Sequence, residues 1–217
     1  MRKYDIILFD LDGTLTDPGE GIANSVAYAL KKYGIEVENK SELYKFIGPP
    51  LYESFSTFYG FSEEKSREAI VFYREYYKEK GINECMLFDG IKELLQGLKK
   101  AGYILSLATS KPEIFAHRVL DNYDIHSYFD FIGAATTDEK TRSTKEQVIE
   151  YVLSSLNVTD RNKVLMIGDR YFDINGAKEF GLDSVGVTYG YGTYEELQNA
   201  GATYIVRTPK EIEKILL

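Results

Sequence analysis

The sequence predicts an α/β fold: a parallel-sheet core interrupted by an inserted helical domain. Three observations carry that prediction. Short apolar runs bounded by Gly or polar residues recur along the chain, as strands buried on both faces do. Helical patterns alternate with them, which is the order of βαβ units. One stretch, roughly Pro18 to Lys80, breaks the alternation and holds no strand candidate.

Tyr4–Phe9 (YDIILF) reads as the first strand. Ile22–Tyr33, Ser41–Phe46, Leu51–Tyr59 and Glu63–Glu79 then read as helices, punctuated by Gly34, Pro49-Pro50 and Gly60. A helical block of about 60 residues is too long for an ordinary crossover. It is expected to be a separate domain, residues 17–83, leaving 1–16 and 84–217 for the core. Ile91–Ala101 places apolar residues at 91, 94, 95 and 98 and stops at Gly102. Tyr103–Ala108 (YILSLA) reads as a strand, and Pro112–Leu120 as a helix with Pro at its first position. A strand at Phe129–Ala134 (FDFIGA) and a helix at Lys145–Leu156 follow. Lys163–Ile167 (KVLMI) is a strand, Ile174–Phe180 a helix stopped by Gly181, and Ser184–Val187 and Thr203–Val206 are strands. No internal repeat or low-complexity tract is present.

The chain has 217 residues, 44% of them apolar, enough for a sizeable core. A formal net charge of -8 argues against a nucleic-acid polymer as partner, since such surfaces are basic. One cysteine, Cys85, allows no internal disulfide and fits a reducing compartment. The opening MRKYDIILFD has a short apolar stretch ended by an acid, unlike a signal peptide. No apolar run approaches the ~20 residues of a membrane helix. The expectation is a cytoplasmic protein without membrane contact, as a monomer or a homodimer. The 18 tyrosines and 12 phenylalanines read mostly as core and cap packing, and His117 and His126 as surface or packing residues. Gly186–Gly192 (GVTYGYG) reads as a flexible loop near the active face, or a plain turn.

The chemistry lies where strands end. The first strand runs into Asp10 and Asp12, the second into Thr109, Ser110 and Lys111, and the strand at 163–167 into Gly168-Asp169 and then Asp173. Open parallel sheets bind ligands outside the carboxyl ends of their strands, so these groups are expected to converge, joined by Lys145 at a helix start. Clustered carboxylates imply a hard cation, and oxygen ligands with a phosphate suit magnesium. A cation, a lysine and a hydroxyl suit a phosphoryl group. One aspartate can attack phosphorus and a second can protonate the leaving oxygen.

Asp10-Leu11-Asp12-Gly13-Thr14, Thr109, Lys145 and Gly168-Asp169 with Asp173 resemble the four motifs of the haloacid dehalogenase superfamily, in order. The helical insert resembles that family's C1 cap over a Rossmann-like core, and the whole is most similar to the phosphoglycolate phosphatase branch. The resemblance implies Asp10 as nucleophile and Asp12 as general acid, then base. It implies Thr109, with Ser110, and Lys145 as phosphoryl-binding groups. Asp10, the Asp12 carbonyl and Asp169 would hold Mg2+, with Asp173 in the second shell or bound through water. The third motif often has Lys-Pro where this chain has Lys145-Glu146; Lys145 precedes Asp169 by 24 residues, near the family spacing, and Arg142 is a weaker substitute.

Dehalogenases and phosphonate hydrolases of this kind lack a carboxylate at the Asp12 position, so its presence favours phosphate esters. Sugar phosphomutases share the core residues but hold a second phosphate with cap cations. Here Ile47-Gly48-Pro49-Pro50-Leu51, at the cap's specificity position, contains no Arg or Lys, although Lys45 is close. The expected activity is hydrolysis of a small-molecule phosphate monoester, such as phosphoglycolate, a nucleoside monophosphate or a sugar phosphate. Gly48, Pro50 and Leu51 are candidate substrate contacts. A mutase, or an inactive phosphate-sensing protein on the same fold, is the alternative.

Overall fold

The computed structural model describes residues 2–138 and 141–217. The chain forms two compact units, Met1–Asp17 with Leu87–Leu217, and Pro18–Met86.

The first unit is built on a six-stranded parallel sheet. In chain order its strands are β1 (Ile6–Phe9), β4 (Ile104–Pro112), β5 (Phe131–Ala135), β6 (Val164–Gly168), β7 (Asp183–Val187) and β8 (Tyr204–Val206). Across the sheet they run β5-β4-β1-β6-β7-β8. Two short strands, β2 (Thr16–Asp17) and β3 (Met86–Leu87), pair separately. The helices of this unit are α4 (Ile91–Lys100), α5 (Glu113–Asn122), α6 (Lys145–Ser155), α7 (Tyr171–Glu179), α8 (Tyr194–Ala200) and α9 (Pro209–Leu216). Both sheet faces are covered, which is why β1 and β6 carry apolar residues without alternation. Leu8, Ala108, Val164 and Met166 pack against Val148, Ile149 and Val152 of α6 and Ala177 of α7.

Register sets the site. Phe9 pairs with Leu107 on one side and with Ile167 on the other. The carboxyl ends of β1, β4 and β6 therefore lie at one level, and the residues that follow them emerge side by side. Strand order reverses at β1, the switch point where parallel α/β sheets bind ligands.

Several elements differ from the sequence expectation. β4 does not end at Ala108; it continues to Pro112, with a register shift between Thr109 and Pro112. Thr109, Ser110 and Lys111 are thus strand residues. Pro112 is the N-cap of α5 with ψ 138°, not its first helical residue. α7 opens at Tyr171, three residues ahead of Ile174, because Asp173 accepts from the Arg170 N–H and so caps the first turn. The last two helices, α8 and α9, were not anticipated.

The second unit contains α1 (Gly19–Lys31), α2 (Leu51–Tyr59) and α3 (Glu63–Glu79). Ser41–Phe46, expected as a helix, lies in a 3-10 helix, Lys40–Phe46, capped by Asn39. The unit's aromatic content has a packing cause: Phe46 meets Phe55 and Phe58 at ring-centroid distances of 5.1 and 5.4 Å, and Phe61 stacks on Phe55 at 5.9 Å. Lys65 lies over the Phe61 ring at 3.9 Å and Lys45 over Phe58 at 4.8 Å, covering apolar surface with their stems. Among the described residues no helix is long and apolar enough to cross a membrane.

Leu8 is fully buried between the sheet and α6. Leu8→Ala is expected to destabilise the first unit by about 2–5 kcal/mol, the range for a truncated core leucine. Denaturant unfolding followed by circular dichroism measures it, and a loss under about 1 kcal/mol would contradict this packing.

Candidate active site

β1 ends at Phe9, and the Asp10 N–H donates to the Ile167 carbonyl at 2.9 Å, extending the ladder by one bond. The chain then turns sharply. The Leu11 carbonyl accepts from the N–H groups of Leu15 and Thr16, and the Gly13 N–H donates to the Thr16 carbonyl at 2.7 Å. Gly13 has φ 84°, and a Cβ there would overlap the Asp169 carboxylate, so only glycine fits. This turn holds Asp10 over the sheet and sends Asp12 to the side of β4.

Asp10, Asp169 and Asp173 are all buried, and one carboxylate oxygen from each lies within 4.8 Å of the others. Asp169 follows β6 directly and is fully buried; its Oδ2 accepts from the Tyr191 N–H at 2.8 Å, while its Oδ1 has no hydrogen-bond partner. Lys145 opens α6, whose capping box joins Thr144 to Gln147. Its Nζ lies 2.8 Å from Asp10 Oδ1 and 2.7 Å from Asp173 Oδ1, and donates to the Ala108 carbonyl at 2.9 Å. Lys145 is therefore a buried bridge and not a solvated surface lysine.

Asp12 has its own partner. Lys111 Nζ reaches Asp12 Oδ2 at 2.6 Å, with only 5% of the lysine side chain exposed. Thr109 is buried, and its Oγ1 accepts from the Lys111 N–H at 3.2 Å, leaving its own proton to donate. Ser110 lies half-buried between them.

Charge explains the titration behaviour. Burial raises the Asp12 carboxyl above the usual carboxylate range, against the pull of Lys111. Burial also raises Asp169 well above its ordinary value, with Asp173 and Asp10 adding to the rise. Asp173 is pushed up to about 6 by burial, against the pull of Lys145. Burial works to lower Lys145, but Asp10 and Asp173 outweigh it and its pKa is raised. Three carboxylates with one ammonium leave two uncompensated negative charges when all are ionised. The orphaned Asp169 oxygen and the all-oxygen donor set fit a hard divalent cation.

The structure thus gathers Asp10, Asp12, Thr109, Ser110, Lys145, Asp169 and Asp173 at one end of one sheet. Gly48, Pro50 and Leu51 belong to the second unit: Gly48 has φ 104°, Pro50 caps α2 and Leu51 opens it. Arg142 donates to the Ala134 carbonyl and Glu113 and lies over Tyr151, so it is no substitute for Lys145. Sequence reasoning placed Lys111 among the converging groups without giving it a partner, and it missed Tyr189 and Tyr191. Lys111 is two residues from Thr109 on a strand, so period-two alternation puts both on the face where Asp12 is met. Tyr189 and Tyr191, in the segment read as a flexible loop or turn, are part of the site's scaffold. The Tyr189 hydroxyl donates to the Thr14 carbonyl at 2.9 Å, and the Tyr191 hydroxyl donates to Asp17. A Cβ on Gly192 would overlap the Asp169 carbonyl.

Residues 7–187 match the family described as Haloacid dehalogenase-like hydrolase. The chain belongs to that family. It is 41% identical over 214 residues to a 5'-nucleotidase of Pseudomonas aeruginosa, covering 99% of this chain and 96% of that one. Tyrosine-protein kinase PtkA of Mycobacterium tuberculosis is 38% identical over 200 residues, covering 92% and 67%. The crystal structure of a predicted phosphatase from Clostridium acetobutylicum superposes with a TM-score of 0.94 at 50% identity, covering 97% of each chain.

In this haloacid dehalogenase-like hydrolase the carboxylate cluster should cost stability when no cation is bound. In chelator at pH 7, Asp169→Asn is expected to melt higher than the parent, since it removes one buried like charge and still accepts from Tyr191. The scale is about 2–4 °C per kcal/mol for a chain of this size. Asp169 and Asp173 hold protons more tightly folded than unfolded, so their penalty grows as pH rises above about 4, through about 6 for Asp173 and on beyond the usual carboxylate range for Asp169. The difference between parent and variant should therefore shrink toward pH 4. Divalent cation should reverse the order at pH 7. Thermal scans with and without cation decide it; a variant less stable in chelator would contradict the charge argument.

Proposed function

We propose that this protein is a magnesium-dependent phosphatase that hydrolyses a small phosphate monoester through an aspartyl-phosphate at Asp10. The observation that carries the reading is the pair of aspartates with opposite surroundings. Asp10 sits in the carboxylate cluster against Lys145, while Asp12 stands apart, paired to Lys111, with its pKa raised by burial. That difference supports Asp10 as the nucleophile and Asp12 as the proton carrier, since acid–base division between carboxylates requires different surroundings.

The carboxylates of Asp10, Asp169 and Asp173 and the carbonyl of Asp12 would hold magnesium, whose charge would draw in the phosphate oxygens and offset charge in the transition state. Asp10 attacks phosphorus as the ester P–O bond breaks, and Asp12 gives its proton to the departing oxygen. Asp12, now ionised, takes a proton from water, which attacks the aspartyl-phosphate, frees inorganic phosphate and restores Asp10. Thr109 donates its hydroxyl to the phosphoryl group, with Ser110 beside it, and Lys145 holds Asp10 and the group it attacks. The relative named 5'-nucleotidase supports a nucleoside monophosphate among the candidates. The mutase alternative gains no support from Lys45, which lies over Phe58 and Tyr59.

The test is phosphate release from a panel of monoesters with magnesium, in chelator, and with Asp10→Asn. Turnover should need magnesium, and Asp10→Asn should lose several powers of ten in kcat with its fold intact. Retention of more than a few per cent activity in a clean preparation sinks the nucleophile. Transfer of phosphoryl to another sugar hydroxyl or to tyrosine in place of water would make the chain a mutase or a kinase.

Specificity is proposed to reside in the second unit, because the core groups reach only the phosphoryl portion that every substrate shares. Pro50→Ala or Leu51→Ala should reorder substrates by kcat/KM by roughly 1–3 kcal/mol, as apolar pocket changes do, while a small generic ester keeps its rate. Equal losses on every substrate would show that this segment does not select.

A further inference from the structure

The chain has two histidines, nine positions apart, and the fold of the first unit brings both into one cluster remote in composition from the aspartates described above. His117 lies on α5 and His126 just beyond its end. His117 Nδ1 and His126 Nε2 face each other at 3.2 Å. The outer nitrogen of each ring faces a carboxylate. His126 Nδ1 is 2.7 Å from Asp121 Oδ1, and His117 Nε2 is 3.8 Å from Glu113 Oε1. Glu113 is also reached by Arg142 at 3.3 Å.

Tautomer logic follows. A carboxylate beside an imidazole nitrogen holds the proton on that nitrogen. Asp121 thus fixes His126 as the Nδ1–H form and leaves its Nε2 lone pair facing His117 Nδ1, whereas Glu113 stands too far from His117 to fix its tautomer. The two inner nitrogens, 3.2 Å apart, either share one proton or release it to a cation that takes both lone pairs. Carboxylate behind imidazole is also the arrangement that orients histidines bound to metal. Two nitrogens each about 2.0–2.1 Å from one tetrahedral ion lie about 3.3–3.4 Å apart, and the observed separation is close to that. Nitrogen donors favour borderline transition metals, whereas the aspartate cluster, all oxygen, favours hard cations. Both rings are partly open to solvent, at 38% and 40% side-chain exposure, so water can complete the coordination.

We propose that His117 and His126 form a two-histidine site for a borderline divalent cation of the zinc or nickel class, oriented by Asp121. The site stands independently of the phosphatase reading, because it shares no residue with the aspartate cluster.

Zinc titrated calorimetrically into the full chain tests it, with excess magnesium present so that the aspartate cluster is occupied by the hard cation. One equivalent should bind. His117→Ala and His126→Ala should each abolish that event, and both residues are exposed enough for the fold to survive, which melting curves check. Asp121→Asn keeps both inner nitrogens and should weaken binding about 10–100-fold, as loss of an orienting carboxylate does. Cobalt gives a second readout: visible absorption bands in the parent, absent in either histidine variant. Absence of zinc binding by the parent would overturn the proposal, and the two rings would then share a proton only. Binding that persists unchanged in both histidine variants, at Cys85 or elsewhere, would overturn it equally.

Discussion

The position of Lys145 between Asp10 and Asp173 is the interaction on which the rest of the site depends. Three buried carboxylates gathered at the ends of parallel strands repel one another, and each is already penalised by loss of water. One ammonium at 2.8 and 2.7 Å offsets part of that repulsion and fixes the direction in which Asp10 points. The third hydrogen bond of the lysine, to the Ala108 carbonyl, ties the same ammonium to β4. A single side chain from the start of α6 thus connects groups contributed by β1, β4 and α7. The lysine is held in turn by helix capping: Thr144 and Gln147 close the end of α6, so the position of Lys145 follows from local backbone chemistry.

The pairing of Asp12 with Lys111 serves a different end. Two aspartates two residues apart could have shared one environment and behaved alike. The turn at Gly13 prevents this, because it leaves Asp10 over the sheet and swings Asp12 toward a cation of its own. Each carboxylate then has a separate balance of burial and charge. Different roles for chemically identical side chains require that kind of separation.

Much of this was legible in the sequence because it rests on period and order. Strands buried on both faces announce themselves as apolar runs, and Asp10, Thr109 and Asp169 stand at or near the ends of three of them. Parallel register then aligns those ends, as the pairing of Phe9 with Leu107 and Ile167 does. What was not legible depends on irregular backbone. β4 runs past its apolar stretch because a register shift lets the polar Thr109–Lys111 segment remain in the sheet, which no periodicity signals. α7 begins early because Asp173 caps it as well as serving the cluster, so a residue read for its charge also decides a boundary. Tyr189 and Tyr191 escaped because a segment with three glycines in seven residues reads as loose chain. In the folded state Gly190 and Gly192 mark closeness: the segment lies against Asp169, held by a backbone N–H to Asp169 and by two phenolic hydroxyls to Thr14 and Asp17.

That closeness bears on how the cluster can relieve its charge. Carboxylates on a flexible loop would separate until water solvated each one. Here they cannot. Gly13 and Gly192 leave no space for a Cβ beside Asp169, the Tyr191 N–H holds one of its oxygens, and Lys145 pins Asp10 and Asp173 from the other side. With geometric relaxation blocked, the remaining ways to lower the energy are uptake of a proton or uptake of a cation. The raised pKa values of Asp169 and Asp173 are the first response. The second competes with it for the same oxygens, and at neutral pH a divalent ion neutralises both uncompensated charges at once, where a single proton neutralises one. A scaffold this rigid therefore holds the electrostatic cost of the cluster in place, and a cation bound there would recover as binding energy the stability that the fold gives up.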